Sequence, residues 1–185
     1  MVYIANYWSD PDFTDMKIYS NTERVELYLN GESIATLKPE RDRYSTNLNF
    51  PPFSFTPDRF EPGELRAVGY INGEPVAEFV RKTPESPEKI SLDVDLSNRD
   101  LKAGVNDVVF VYAKITDANG TIVHDAQHEI LFSVEGDATL IGDNPFPAEA
   151  GIATILLKAG ESSGKVSIRV ASKYLETAKI TVQIK

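Results

Sequence analysis

The sequence predicts an all-β protein built as two tandem immunoglobulin-like β-sandwich domains. Three observations predict it. Apolar residues alternate at period two through both halves, Asn-Gly pairs separate such runs in the first half, and no longer window carries a capped helical repeat. A stretch of two prolines and two glutamates around a serine, Thr83-Pro84-Glu85-Ser86-Pro87-Glu88, breaks the pattern once and reads as a short stiff linker. The expected domains are therefore 1–84 and 88–185.

Composition supports this reading and excludes others. The 185 residues are 42% apolar and 25% charged, enough for packed cores. No stretch reaches the ~18 uninterrupted apolar residues of a membrane-spanning helix. A complete (β/α)8 enzyme barrel takes about 250 residues and does not fit. The absence of cysteine removes disulfides, thiolate nucleophiles and cysteine-ligated zinc. A net charge of −9 argues against nucleic acid and anionic lipid as partners. After Met1, the run Val2-Tyr3-Ile4-Ala5-Asn6-Tyr7-Trp8 has no basic and apolar segments of a secretory signal, and it reads as a piece of a longer protein.

In the first half, Val25–Leu29, Asn30-Gly31 and Glu32–Leu37 form the strongest hairpin signal, because Asn-Gly supplies the two positive-φ residues of a type I′ turn. A two-residue turn would place Leu27 opposite Ile34 and Val25 opposite Thr36. A second pair, Asn72-Gly73, joins Glu64–Ile71 to Glu74–Lys82, and Pro75 marks the return strand as a sheet edge. Between the hairpins, Arg41–Pro57 is a long excursion with room for one short strand. In the second half, Val109, Val111, Ala113 and Ile115 share a face. So do Ile130, Phe132 and Val134, then Ala153, Ile155 and Leu157, then Val166, Ile168 and Val170, and finally Ile180, Val182 and Ile184. About seven such strands make a sandwich.

Candidate chemistry is sparse. Gly160-Glu161-Ser162-Ser163-Gly164 spells G-x-S-x-G, but a nucleophile elbow needs a helix after it, and here a strand follows; a hairpin loop is expected. The same stretch falls one residue short of a phosphate loop, with Val166 where a hydroxyl belongs. His124 and His128 are read as solvated residues in a loop between Thr121–Val123 and Glu129–Val134, too few for zinc. Asp117, Asn119 and Gly120 are read as a turn, since the other ligands of a calcium loop are missing. No two of the 28 carboxylates stand out as a glycosidase acid pair. No catalytic, cofactor-binding or metal-binding residue is expected. The aromatics are the one enriched feature: residues 1–86 hold 13 of the 18. Tyr3, Tyr7, Trp8, Phe13, Phe50 and Phe53 are the candidates for stacking on sugar rings or packing on another domain, with internal packing as the alternative.

Two segments carry a resemblance. Met16–Ile34, containing Ser20-Asn21-Thr22-Glu23-Arg24-Val25-Glu26-Leu27-Tyr28-Leu29-Asn30-Gly31, is similar to the run that follows the catalytic barrel in β-galactosidase-like members of glycoside hydrolase family 2. Pro62-Gly63-Glu64-Leu65-Arg66-Ala67-Val68-Gly69-Tyr70 resembles a strand of the same domain. Lys89–Leu92, Asp117–Gly120, Phe132–Gly136 and Gly151–Ala153 follow the order of the Ig-like domain after it. The resemblance implies non-catalytic C-terminal accessory domains of a periplasmic or secreted glycosidase, partnered in cis by a catalytic barrel that holds both catalytic glutamates. Thr22 stands where that family often has cysteine, as expected of a structural position. Tyr7-Trp8-Ser9-Asp10 replaces a His-Trp-Asn-Trp run, and Ile141–Pro145 loosely matches an Asn-Gly-Asp-Pro loop. A carbohydrate-binding module and an adhesin-like stalk are the other two readings.

Overall fold

The computed structural model describes residues 1–9 and 15–185. These form fifteen β-strands, with no helix among the described residues. The chain divides into two compact units, Met1–Thr83 and Pro84–Lys185.

The first unit contains β1 (Val2–Ile4), β2 (Met16–Ser20), β3 (Arg24–Leu29), β4 (Glu32–Leu37), β5 (Phe53–Phe55), β6 (Glu64–Ile71) and β7 (Glu74–Lys82). One sheet has the order β1-β2-β5 and the other β4-β3-β6-β7. Alternation decides which side chains enter the core. Ile4, Met16, Ile18, Val25, Leu27 and Leu65 are fully enclosed between the sheets, with Trp8 and Phe53.

Both Asn-Gly turns form as the residues dictate, with φ of 51° and 88° at Asn30 and Gly31, and 52° and 84° at Asn72 and Gly73. The expected register of the first hairpin is corrected. Tyr28 faces Ser33 and Leu27 faces Ala35, so Ile34 is an extra residue in the β4 strand. The second hairpin does the same: Tyr70 faces Pro75, Gly69 faces Ala77, and Val76 is extra. The bulges let Ala35 and Ala77, rather than Ile34 and Val76, join the inner face, and they leave Ile34 and Val76 exposed. Pro75 lies on β7, an edge strand, where its missing N–H costs no ladder bond.

The second unit contains β8 (Lys89–Asp95), β9 (Val108–Thr116), β10 (Glu129–Glu135), β11 (Ala138–Ile141), β12 (Phe146–Pro147), β13 (Ile152–Ala159), β14 (Gly164–Ala171) and β15 (Ala178–Ile184). Its sheets run β11-β13-β9-β8 and β12-β10-β14-β15. Each apolar face named from the sequence lines one continuous core between them. Two expectations are corrected. Gly160–Gly164 is not a hairpin turn: it carries the chain from β13 in one sheet to β14 in the other. Thr121–Val123 is not a strand; only Ile122 bridges back to Thr116, because the tight turn at Asp117 leaves too little length for a ladder.

The proline-rich stretch is tied down at each end. In the first unit, the Thr83 N–H donates to the Gly63 carbonyl at 2.9 Å and its hydroxyl to the Trp8 carbonyl at 2.7 Å. In the second, the Glu85 N–H donates to Asp117 Oδ2 at 3.0 Å.

Candidate functional site

The six aromatics singled out from the sequence separate by environment. Trp8 and Phe53 are 1% and 0% exposed, enclosed in the first core, and such rings offer no open face for stacking. The indole N–H of Trp8 donates to the Glu61 carbonyl at 2.9 Å, and its ring meets Phe60 at 5.2 Å. Tyr3, Tyr7 and Phe50 are 42%, 44% and 63% exposed. Phe13 and Asp10 lie outside the described residues.

Tyr3 and Tyr7 belong to an aromatic platform organised by Arg81. On β7, Arg81 follows Ala77 and Phe79 along the inner face, where the sheet runs out of cover. Its guanidinium turns to β1. Nε and Nη2 donate to the Ile4 carbonyl at 3.2 and 3.0 Å, and Nη2 also donates to the Tyr3 hydroxyl at 3.0 Å. The same group lies 5.2 Å from the Tyr3 ring, 5.4 Å from Tyr7 and 5.0 Å from Phe79. Tyr3 packs on Phe79 at 4.8 Å and faces the half-exposed Tyr19 across the β1–β2 ladder. Sequence reasoning missed Tyr19, Phe79 and Arg81 because strand pairing, not proximity in sequence, assembles them. Phe50 lies elsewhere in the first unit, on a loop with exposed Tyr44 and Leu48. That loop is braced from within: Asp42 Oδ1 accepts from the Tyr44 and Ser45 N–H groups, and Arg41 donates to the Thr46 and Leu48 carbonyls.

A second cluster covers the outer face of β3 and β6. The Tyr28 and Tyr70 hydroxyls donate to one Glu26 oxygen at 2.7 and 2.8 Å, and Arg24 pairs with the other. Arg24 lies over the Tyr70 ring at 4.0 Å and Arg66 over Tyr28 at 4.6 Å. The Tyr28 hydrogen bond, then that of Tyr70, holds the Glu26 carboxyl below its ordinary pKa against the opposing effect of desolvation. The bond to Glu26 pushes the Tyr28 phenol upward in turn. The arrangement fixes side chains; nothing in it presents a nucleophile or a proton poised for transfer.

Beside Trp8, a groove of about 400 Å³ opens between the β3–β4 hairpin and residues 55–61. Leu29, the bulged Ile34, Phe55 and Pro57 supply apolar wall, and Glu32, Asp58, Arg59 and Glu61 supply polar groups.

The remaining sequence motifs have structural surroundings. Gly160 and Ser162 N–H groups donate to Asp137, which holds the inter-sheet crossing. His124 and His128 are half-buried rather than solvated, and His128 Nδ1 is enclosed without a hydrogen-bond partner among the described residues. Asp117 is buried, and its oxygens accept N–H bonds from Glu85, Asn119 and Thr121. Thr22 is buried too, its hydroxyl 2.8 Å from that of Ser20. Among the described residues, no group of three or more His, Asp or Glu is placed to hold a metal ion.

Fold and surface together define a pair of β-sandwiches with an aromatic, arginine-centred face on the first. Residues 92–181 match the glycoside hydrolase family 2 C-terminal domain 5, and residues 13–77 match a family described as a domain of unknown function (DUF4982). The second unit resembles a family 2 C-terminal domain, and the chain as a whole resembles the C-terminal region of β-galactosidase-like members of glycoside hydrolase family 2. A β-galactosidase of Thermoanaerobacter pseudethanolicus is 28% identical over 198 residues, covering 100% of this chain and 26% of its own length. A β-galactosidase of Bacteroides ovatus is 25% identical over 189 residues, covering 95% of this chain and 21% of its own. The chain thus spans about a quarter of the length of these curated relatives. Among solved structures, a β-glycosidase from Bacteroides vulgatus superposes with a TM-score of 0.85 at 24% identity, over 100% of this chain and 24% of that one, which establishes the shared fold. A family 2 member from Bacteroides cellulosilyticus superposes at 0.73 and 26% identity, over 98% of this chain and 24% of its own.

Proposed function

We propose that this chain is a non-catalytic C-terminal accessory segment of a β-galactosidase-like glycosidase, and that its first unit docks on the catalytic domain of the same polypeptide. The observation that carries the proposal is coverage: the whole chain aligns with 26% of a β-galactosidase, which leaves most of the relative's length for a catalytic domain. Exposed aromatic side chains support a docking role for the first unit. Tyr3, Tyr7 and Tyr19 around Arg81, with Tyr44, Leu48 and Phe50 on the braced loop, are the kind of apolar surface that protein interfaces use. Rings already held by Arg81 lose little side-chain freedom on docking, which favours this face.

Two measurements test the reading. The chain alone, assayed on nitrophenyl β-galactoside, should give background hydrolysis, and robust turnover would overturn the non-catalytic role. Co-expressed with the catalytic region of its parent, the chain should co-purify with it, and the Tyr3→Ala/Tyr7→Ala double variant should not. Equal recovery of both forms would remove the platform from the interface.

A further inference from the structure

We infer that the outer face of β10, β14 and β15 docks an extended, acidic polypeptide segment with a carboxylate two residues from an apolar side chain. The inference concerns the second unit and is independent of the docking proposed above for the first. Two adjoining clefts of about 610 and 410 Å³ cross this face, and they share Leu131 and Ala171. These two residues lie directly opposite each other on β10 and β14, both exposed, and form one apolar floor. Exposed Tyr174, on the loop from β14 to β15, walls one end; its φ of 68° is a conformation that a tyrosine rarely adopts.

Charge selects the partner. The chain carries 19 basic against 28 acidic residues, yet the clefts reverse that balance: Arg169, Lys173 and Lys179 line them, with Glu129 as the one carboxylate among their described lining residues. Arg169 and Lys179 face each other across the β14–β15 ladder, and neither side chain makes an ion pair or hydrogen bond among the described residues. Side chains so placed start about 5 Å apart at Cβ, where two like charges repel at a cost that a bound carboxylate relieves. Glu135, also on this face, lies opposite Ser167 rather than either cation. Lys173 turns to the Tyr174 ring, its ammonium 4.7 Å from the centroid. Three positive groups oppose a cationic partner. A lone inorganic anion would leave the floor of Leu131 and Ala171 uncovered. An extended peptide answers both demands. Its residues two apart share one face at about 6.8 Å, which matches the step from Ala171 to Arg169 along β14. An apolar side chain then lies on the floor while the carboxylate two residues on meets Arg169, whose fork binds it bidentately, and Lys179.

The test is a titration of the isotope-labelled, full 185-residue chain followed by amide NMR. The probe is the terminally blocked peptide Gly-Asp-Ser-Leu-Ser-Glu-Gly; its lysine-for-acid counterpart and inorganic phosphate are the controls. Saturable shifts are expected at the amides of Leu131, Ser133, Arg169, Ala171 and Lys179, with a Kd below about 1 mM. Lys179→Glu should weaken binding about tenfold or more, yet melt higher than wild type without peptide, because it turns a like-charge pair into an ion pair. A merely structural lysine would not move the two readouts in opposite directions. Leu131→Ala should also weaken binding, and Lys38→Glu in the first unit should leave it unchanged. No saturable shift at about 10 mM peptide, undiminished affinity in Lys179→Glu, or equal binding of the lysine counterpart would overturn the inference. So would displacement of the peptide by about 10 mM phosphate, which would mark a simple anion site. Sedimentation as a dimer that Lys179→Glu dissociates would instead put a second copy on this face and overturn it too. Neither turnover nor co-purification enters these readouts, so failure here is separable from failure of the accessory role.

Discussion

Arg81 and Ile4 are joined by two hydrogen bonds to one atom: Nε and Nη2 of the guanidinium converge on the Ile4 carbonyl at 3.2 and 3.0 Å. The contact ties the edge strand of one sheet to the first strand of the other. A planar fork can do this, and an ammonium cannot reproduce it while also reaching the Tyr3 hydroxyl. Arg81→Lys should therefore cost about 1–2 kcal/mol in urea unfolding despite keeping the charge. Wild-type stability in that variant would mean the pairing contributes nothing net.

Gly69 predicts a steric cost of a different kind. A Cβ there would lie 2.5 Å from Val2 Cγ2 and 2.8 Å from Thr22 Cγ2, inside the first unit where β6 passes β1. Overpacking by even one methyl forces neighbours off their rotamers, so Gly69→Ala should destabilise by about 1–3 kcal/mol. The paired variant Val2→Ala/Gly69→Ala should recover part of the loss, measured by thermal melting; no recovery would place the strain elsewhere.

Asp117 makes stability depend on pH. Burial acts to raise its pKa, but the N–H bonds from Glu85, Thr121 and Asn119 outweigh that, and the folded-state value falls below the ordinary 3.8. As pH drops through about 4, the unfolded chain takes up a proton before the folded one does. The stabilisation is thus complete above that pH and is lost as pH falls toward the depressed folded value. Asp117→Asn should lower stability at pH 7 by about 1–3 kcal/mol, because an amide cannot accept all three bonds. Its urea midpoint should also fall less steeply than wild type between about pH 5 and 3. Parallel slopes would show that other carboxylates dominate acid unfolding.

Asn144 acts as a substitute strand for β10. Its Oδ1 accepts from the Phe132 N–H at 2.9 Å and its Nδ2 donates to the Phe132 carbonyl at 2.8 Å, closing both backbone groups of one residue. Asn144→Ala should cost about 1–2 kcal/mol and should speed amide exchange at Phe132. Unchanged exchange would indicate that solvent or a neighbour takes over the pairing.

These contacts differ in how far they could be read from the chain. The turn at Asn30-Gly31 was legible because two positive φ angles in succession are a local demand. Its bulge was not, since whether Ile34 or Ala35 faces inward depends on what fits beside Leu27 on the neighbouring strand and beneath the opposite sheet. The core of the second unit was legible face by face, because period-two alternation is itself the record of burial. The path of the chain at Gly160–Gly164 was not, for a loop between strands looks alike whether it stays in one sheet or changes sheets.

The same division runs through the candidate sites. The sequence by itself determined an all-β chain, the core faces of the second half, the positions of the Asn-Gly turns and the concentration of aromatics in the first half, all of which follow from short-range sterics and the cost of exposing apolar surface. Only the tertiary structure decided that Trp8 and Phe53 are core residues while Tyr3 and Tyr7 stay on the surface. It also brought Arg81 to Ile4 and Tyr3 across 77 and 78 residues and aligned Ile34 with Phe55 along one groove. Those outcomes depend on which strands become neighbours, and pairing is chosen by the collective fit of two sheets, which no single stretch of sequence encodes.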